Sequence, residues 1–133
     1  MNPITALHPT GNAAPGGHYS HGTVANGFVF VSGLLPITAG GEKLADASFA
    51  DQARQALTNV ENVLKAAGCG IGHLVQVRVY LSDVAHWPEF NSVYAQWAGP
   101  HKPARAIVPT GPLHYGLKVE IEAVAVVGDA APR

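Results

Sequence analysis

Residues 28–32 read Phe-Val-Phe-Val-Ser, an aromatic and β-branched run bracketed by Gly27 and Gly33, which predicts a buried strand. Ala39-Gly40-Gly41 then supplies a turn, and at Ser48 the period changes. Phe49, Ala53, Ala56, Leu57, Val60, Val63, Leu64 and Ala67 recur at helical spacing, while Asp51, Arg54, Gln55, Asn59, Glu61 and Lys65 fill much of the other face. Ser48, with Asp51 three positions later, forms a capping-box-like start, and Gly68 is the stop. Residues 74–81 return to period two, with Val75, Val77, Val79 and Leu81 on one face and Gln76, Arg78 and Tyr80 on the other. Asp83 is the expected cap of a second helix carrying Trp87, Phe90, Val93, Tyr94 and Trp97, with Pro88 in its first turn and Gly99-Pro100 at its end. Residues 104–108 and 117–127 are the last two strand candidates, separated by a loop that Pro109, Gly111, Pro112 and Gly116 punctuate.

The predicted order is a strand with room for a paired partner, then helix, strand, helix, strand, strand. Two helices against one face of a mixed sheet is an α+β architecture. The strands carry too many apolar residues on both faces to leave one in water, so sheet packing between subunits is the simplest expectation.

Composition narrows the function. At 133 residues and 47% hydrophobic, residues 1–133 are expected to form one domain with a core that needs no disulfide or structural metal. Charged residues are only 13% and the net charge is -1, so the basic face that phosphate-backbone binding requires is missing and nucleic acid is not an expected partner. Cys69 is the one cysteine, which fits a reduced, cytoplasmic setting. Residues 1–14 show no secretory signal, no stretch of 18 apolar residues predicts a membrane span, and residues 128–133 read as a frayed end.

Few residues could carry chemistry. Glu120 and Glu122 leave one face of a strand beside Lys118, which on pattern alone reads more readily as a solvated strand face than as a site. Arg105 lies in the apolar run Pro103-Ala104-Arg105-Ala106-Ile107-Val108, where a guanidinium needs a carboxylate partner. That partner is either Glu120 or Glu122, which makes the arginine structural, or a bound ligand, since Arg grips a small carboxylate through two parallel hydrogen bonds. Ser32-Gly33 ends the first strand, where a hydroxyl and a backbone amide could approach a ligand, but no GxSxG elbow makes Ser32 a nucleophile. His8, His18, His21, His73, His86, His101 and His114 show no metal-ligand spacing, and the glycine pairs lack a P-loop or dinucleotide setting.

Several segments together resemble the Rid (reactive intermediate deaminase, YjgF-like) family, also labelled L-PSP-like endoribonuclease. They are Tyr19-Ser20 after a glycine pair, Phe30-Val31-Ser32-Gly33 with Pro36, Gln52 with Leu57-Asn59-Val60, and Ala66-Ala67-Gly68. Residues 75–81 with Asp83, Phe90-Asn91-Tyr94, Pro103-Ala104-Arg105 and Val119-Glu120-Ile121-Glu122-Ala123 continue the match over residues 17–127. The resemblance implies a homotrimer of the YjgF-like (chorismate-mutase-like) fold, with three clefts between subunits and no cofactor. It further implies hydrolysis of 2-aminoacrylate and related 2-imino acids to a 2-keto acid and ammonia. Carried over residue by residue, Arg105 binds the substrate carboxylate and Glu120 activates water. Tyr19, Ser32, the Gly33 backbone, Asn91 and the Ile107 backbone line the cleft.

This sequence departs from the family pattern at Leu34, where glutamine often stands, at His18-Tyr19-Ser20-His21, and at Ile107, often cysteine. The segment 109–116 also differs and could add His114 or Tyr115 to the cleft. A longer enamine such as an aminomuconate, or a non-catalytic module that binds small carboxylates or acts like a chaperone, are the alternative readings. A ribonuclease is disfavoured by the absence of a basic stripe and of stacking aromatics.

Overall fold

A computed structural model describes residues 3–128, so most of the C-terminal stretch read as frayed lies outside the described residues. Eight regular elements follow in chain order: β1 (Thr5–Leu7), β2 (Gly22–Ala25), β3 (Phe28–Leu34), α1 (Phe49–Ala66), β4 (Leu74–Leu81), α2 (Trp87–Ala98), β5 (Ala104–Pro109) and β6 (Val119–Val126). The strands form one six-stranded sheet in the order β1-β2-β3-β6-β4-β5. All pairs are antiparallel except β4 with β5, which α2 joins as a crossover.

Both helices cover one face. Val29, Val31 and Leu34 of β3, Val77, Val79 and Leu81 of β4, and Val119, Ile121, Ala123 and Ala125 of β6 are buried with Ala53, Ala56, Leu57, Val60, Val63 and Leu64 of α1 and Phe90, Val93 and Tyr94 of α2. The expected cap of α1 is present, the Ser48 side chain accepting from the Asp51 amide at 3.2 Å. Asp83 caps a short 3-10 turn instead, accepting from the Ala85 amide at 2.9 Å, and α2 begins only at Trp87, with Pro88 in its first turn.

Four features add to or depart from the sequence expectation, each with an identifiable cause. The strand at Phe28 has its partner through Asn26-Gly27, both at positive φ (51° and 79°), the two-residue turn that matches strand twist and forms the β2–β3 hairpin. Val75 is exposed rather than buried, because a register shift between Leu74 and Gln76 turns Leu74 inward in its place. Asn59 is buried rather than solvated, its Nδ2 donating to the carbonyls of Leu35 at 3.0 Å and Ile37 at 2.9 Å. Gln52 is equally buried, giving its Nε2 to Ala47 O and taking the Lys118 amide on Oε1 at 2.9 Å, so two buried amides tie α1 to the loops around it.

The face away from the helices is bare. Phe28 and Phe30 are 42% and 46% exposed there, and Phe30, Gln76, Arg78, Glu122 and Val124 border a groove of about 340 Å³. Among the described residues no helix is long and apolar enough to cross a membrane.

Candidate functional site

β6 alternates between its two faces. With Val119 and Ile121 buried beneath the helices, Glu120 and Glu122 both leave on the bare face, as their spacing requires. Their surroundings separate them. Glu122 accepts a hydrogen bond from the Tyr80 hydroxyl across the β4–β6 ladder and has Arg78 Nη1 at 4.0 Å. Glu120 has neither, and burial pushes its carboxyl pKa up; positive charge at His114 opposes the shift and Glu122 adds to it.

The wall beside Glu120 comes from an irregularity in β3. The β3–β6 register shifts between Val31 and Leu34, so Ser32 and Gly33 bulge where the strand passes Glu120. A Cβ built on Gly33 would collide with Glu120 Oε2 and lie 3.2 Å from its carboxyl carbon, so glycine is what lets the carboxylate rest against the backbone. The Ser32 hydroxyl donates to Ser20 O at 2.6 Å and the Ser32 amide to His21 O at 2.9 Å, fixing the segment that carries Tyr19. Tyr19 and Gly33 border one small pocket of about 50 Å³ with Ala13, Leu34, Leu35 and Ile37. His114 is thus close enough to Glu120 to bias its charge, while Tyr115, at φ 60°, lies beneath Lys43 Nζ at 4.7 Å from its ring centroid.

Arg105 stands elsewhere. In the parallel β4–β5 ladder it is level with Val77, and Ile107 with Val79, so both project from the helix-covered face at the outer edge of the sheet. There the Arg105 Nη2 donates to Asn91 Oδ1 at 2.9 Å, and its Cζ lies 4.7 Å from the centre of the Tyr94 ring. Asn91, Tyr94, His101, Lys102 and Arg105 border a second groove of about 340 Å³. Of the two alternatives for Arg105, the ion pair with Glu120 or Glu122 is excluded: the carboxylates are on the opposite face, and no described carboxylate lies within ion-pair distance of Arg105.

The candidate residues thus fall into two separate groups. Glu120, Gly33, Ser32 and Tyr19 gather around the β3 bulge, whereas Arg105 and Asn91 gather at the β5 edge with Ile107 on the same face. Among the described residues no group of three or more His, Cys, Asp or Glu side chains is placed to hold a metal ion.

Comparison with known proteins places the chain in a family. A sequence profile of the family described as Endoribonuclease L-PSP matches residues 10–127. Protein HMF1 of Saccharomyces cerevisiae is 40% identical over 129 residues, covering 95% of this chain and 99% of the yeast protein. The human 2-iminobutanoate/2-iminopropanoate deaminase is 35% identical over 117 residues, covering 86% of this chain and 85% of the human one. Among solved structures, that of E. coli TdcF with bound serine superposes with a TM-score of 0.87 at 31% identity, covering 93% and 99% of the two chains. The YjgF gene product of E. coli gives 0.82 at 33%, covering 92% and 97%. With its helix-backed six-stranded sheet, the order of its sequence blocks and these matches across nearly its whole length, the chain belongs to the Rid (YjgF-like) family.

Proposed function

We propose that this protein is a cofactor-independent enamine/imine deaminase that converts a small 2-imino or 2-enamino carboxylate, such as one derived from 2-aminoacrylate, to a 2-keto acid and ammonia. The observation that carries the reading is a guanidinium without a carboxylate partner and a desolvated carboxylate without a cation partner, held on opposite faces of one chain. Folding does not account for Glu120, since burying a carboxylate without an ion pair costs stability, and the half-exposed Arg105 keeps an edge of its guanidinium open to a ligand. Each supplies what the other lacks when two copies meet, and a homotrimer with three clefts between subunits provides the meeting.

In such a cleft Arg105 takes the substrate carboxylate through paired hydrogen bonds, and Asn91 and the Ile107 backbone complete that side. Tyr19, Ser32 and the Gly33 backbone form the other side. An imine carbon next to a carboxylate is already electrophilic. With the imine nitrogen protonated, water adds to the carbon while Glu120 takes a water proton, giving a neutral carbinolamine; Glu120 returns that proton to the nitrogen as the C–N bond breaks, and the carbinolamine hydroxyl proton leaves with the ammonia as ammonium, forming the keto C=O. The raised pKa of Glu120 suits both halves of that exchange. The single cysteine, Cys69, is buried and unpaired, which supports a cytoplasmic setting.

The test is an ammonia or keto-acid assay on freshly generated imino acids of increasing side-chain length. Hydrolysis above the uncatalysed rate for short side chains is expected. No acceleration for any member of the panel would leave a carboxylate-binding module in place of the enzyme.

A further inference from the structure

Arg105 has a flexible stem of three methylenes, and a carboxylate anchor works only if its guanidinium faces one way. The structure holds it on two sides. Asn91 and Tyr94, three positions apart, stand on the same face of α2, one giving Oδ1 to an edge of the guanidinium at 2.9 Å and the other setting its ring 4.7 Å from Cζ. That leaves the opposite edge of the guanidinium for a ligand.

The ring beneath the cation is itself immobilised. Tyr94 is only 6% exposed and packs tilted against Phe90 at 5.8 Å and Trp97 at 5.7 Å between ring centroids. Trp97 is tethered in turn, its Nε1 donating to Glu61 Oε1 on α1 at 3.3 Å. The Tyr94 hydroxyl, by contrast, is buried with no hydrogen-bond partner among the described residues, and burial pushes its pKa up. A hydroxyl that satisfies nothing contributes little to folding, so the aromatic face is what this position supplies to its surroundings.

We propose that Tyr94 is a positioning residue of the candidate site: its immobilised ring is the platform that, together with Asn91, aims Arg105 at the substrate carboxylate. This rests on the reading of Arg105 as the carboxylate anchor. A cation over an aromatic face is held by the ring quadrupole, an attraction that strengthens as water is excluded. Removing the face lets the guanidinium sample orientations that cannot pair with the ligand.

The experiment uses the full chain with pyruvate as probe, measuring its affinity by calorimetry together with KM and kcat for an imino acid. Tyr94→Leu is expected to weaken pyruvate binding by roughly 3- to 30-fold and to raise KM more than it lowers kcat. Tyr94→Phe, which keeps the ring, should match the parent within about twofold. Val29→Ala removes buried packing on β3, which β6 and β4 separate from β5, and Val29 is not among the partners of Arg105 or Tyr94; it should lower the melting temperature and leave pyruvate affinity intact. In an Arg105→Ala background, Tyr94→Leu should cost no further affinity. If Arg105→Ala itself leaves pyruvate binding unchanged, the anchor reading fails. If Arg105→Ala weakens binding while Tyr94→Leu does not, or if Tyr94→Phe loses as much as Tyr94→Leu, the anchor stands and the platform is wrong.

Discussion

The two faces of the sheet are built by different rules. On the helix-covered face, Val29, Val77, Val79, Val119 and Ile121 are fully buried and each is accounted for by packing against α1 or α2. On the bare face the same strands present Phe28, Phe30, Arg78, Tyr80, Glu120 and Glu122, a mixture that neither water nor the fold requires. The difference teaches where to look for function. Residues whose placement the fold explains can be set aside, and Glu120 stands out because its neighbour Glu122 is paired while it is not.

The sharpest way to break this comparison is to neutralise the two glutamates separately. Glu120→Gln should lower imino-acid turnover by roughly 10²- to 10⁴-fold with little change in keto-acid affinity, whereas Glu122→Gln, which disturbs the Tyr80 and Arg78 contacts, should stay within about tenfold of the parent. Equal losses in the steady-state assay would mean that the face acts through its overall charge. Next in size is Gly33→Ala, whose methyl must push the Glu120 carboxylate from its seat; turnover should fall on the order of 10²-fold while the melting temperature changes little.

A third experiment tests whether the two partial sites meet across copies. Subunits carrying Arg105→Ala and subunits carrying Glu120→Gln, each nearly inactive alone, are denatured together and refolded as an equal mixture. A shared site predicts recovery of about one quarter of the parent activity, because that fraction of interfaces pairs an intact arginine with an intact glutamate. Light scattering should show a trimer throughout, and no recovery from a mixed trimer would confine the site to one chain.

The smallest effect is on stability. Because burial raises the Glu120 pKa in the folded chain, the group's stabilising contribution is fully present below about pH 4, the ordinary glutamate range, and is lost as pH rises through the raised folded value. At neutral pH Glu120→Gln should therefore melt at or slightly above the parent temperature, an advantage that disappears in acid. A substantially lower melting temperature at neutral pH would make Glu120 a structural residue.

Much of this was legible in the sequence where the information is local. The α1 pattern and its Ser48 cap, the bounds of β4 and the shared face of Glu120 and Glu122 all follow from spacing within one element. The β2–β3 hairpin was legible too, in Asn26-Gly27, a signal that the sequence reading passed over. Val75 and Asn59 were misread because a strand bulge and a buried amide depend on partners far along the chain. The opposition of Arg105 and Glu120 belongs to the same class. Alternation gives each residue a face within its own strand, but relating the two faces needs the β5-to-β4-to-β6 register, which no single segment encodes.

The two ends of the sheet bear on how copies can join. A free strand edge is a template for further strands, and edge-to-edge growth has no natural stopping point. Here β1 offers only three residues, and β5 is preceded by Pro103 and ends at Pro109, neither of which has an amide hydrogen to donate. Extension of the sheet into a fibre is thereby discouraged at both margins, so a contact between copies of the kind proposed above would close on itself instead of propagating strand by strand.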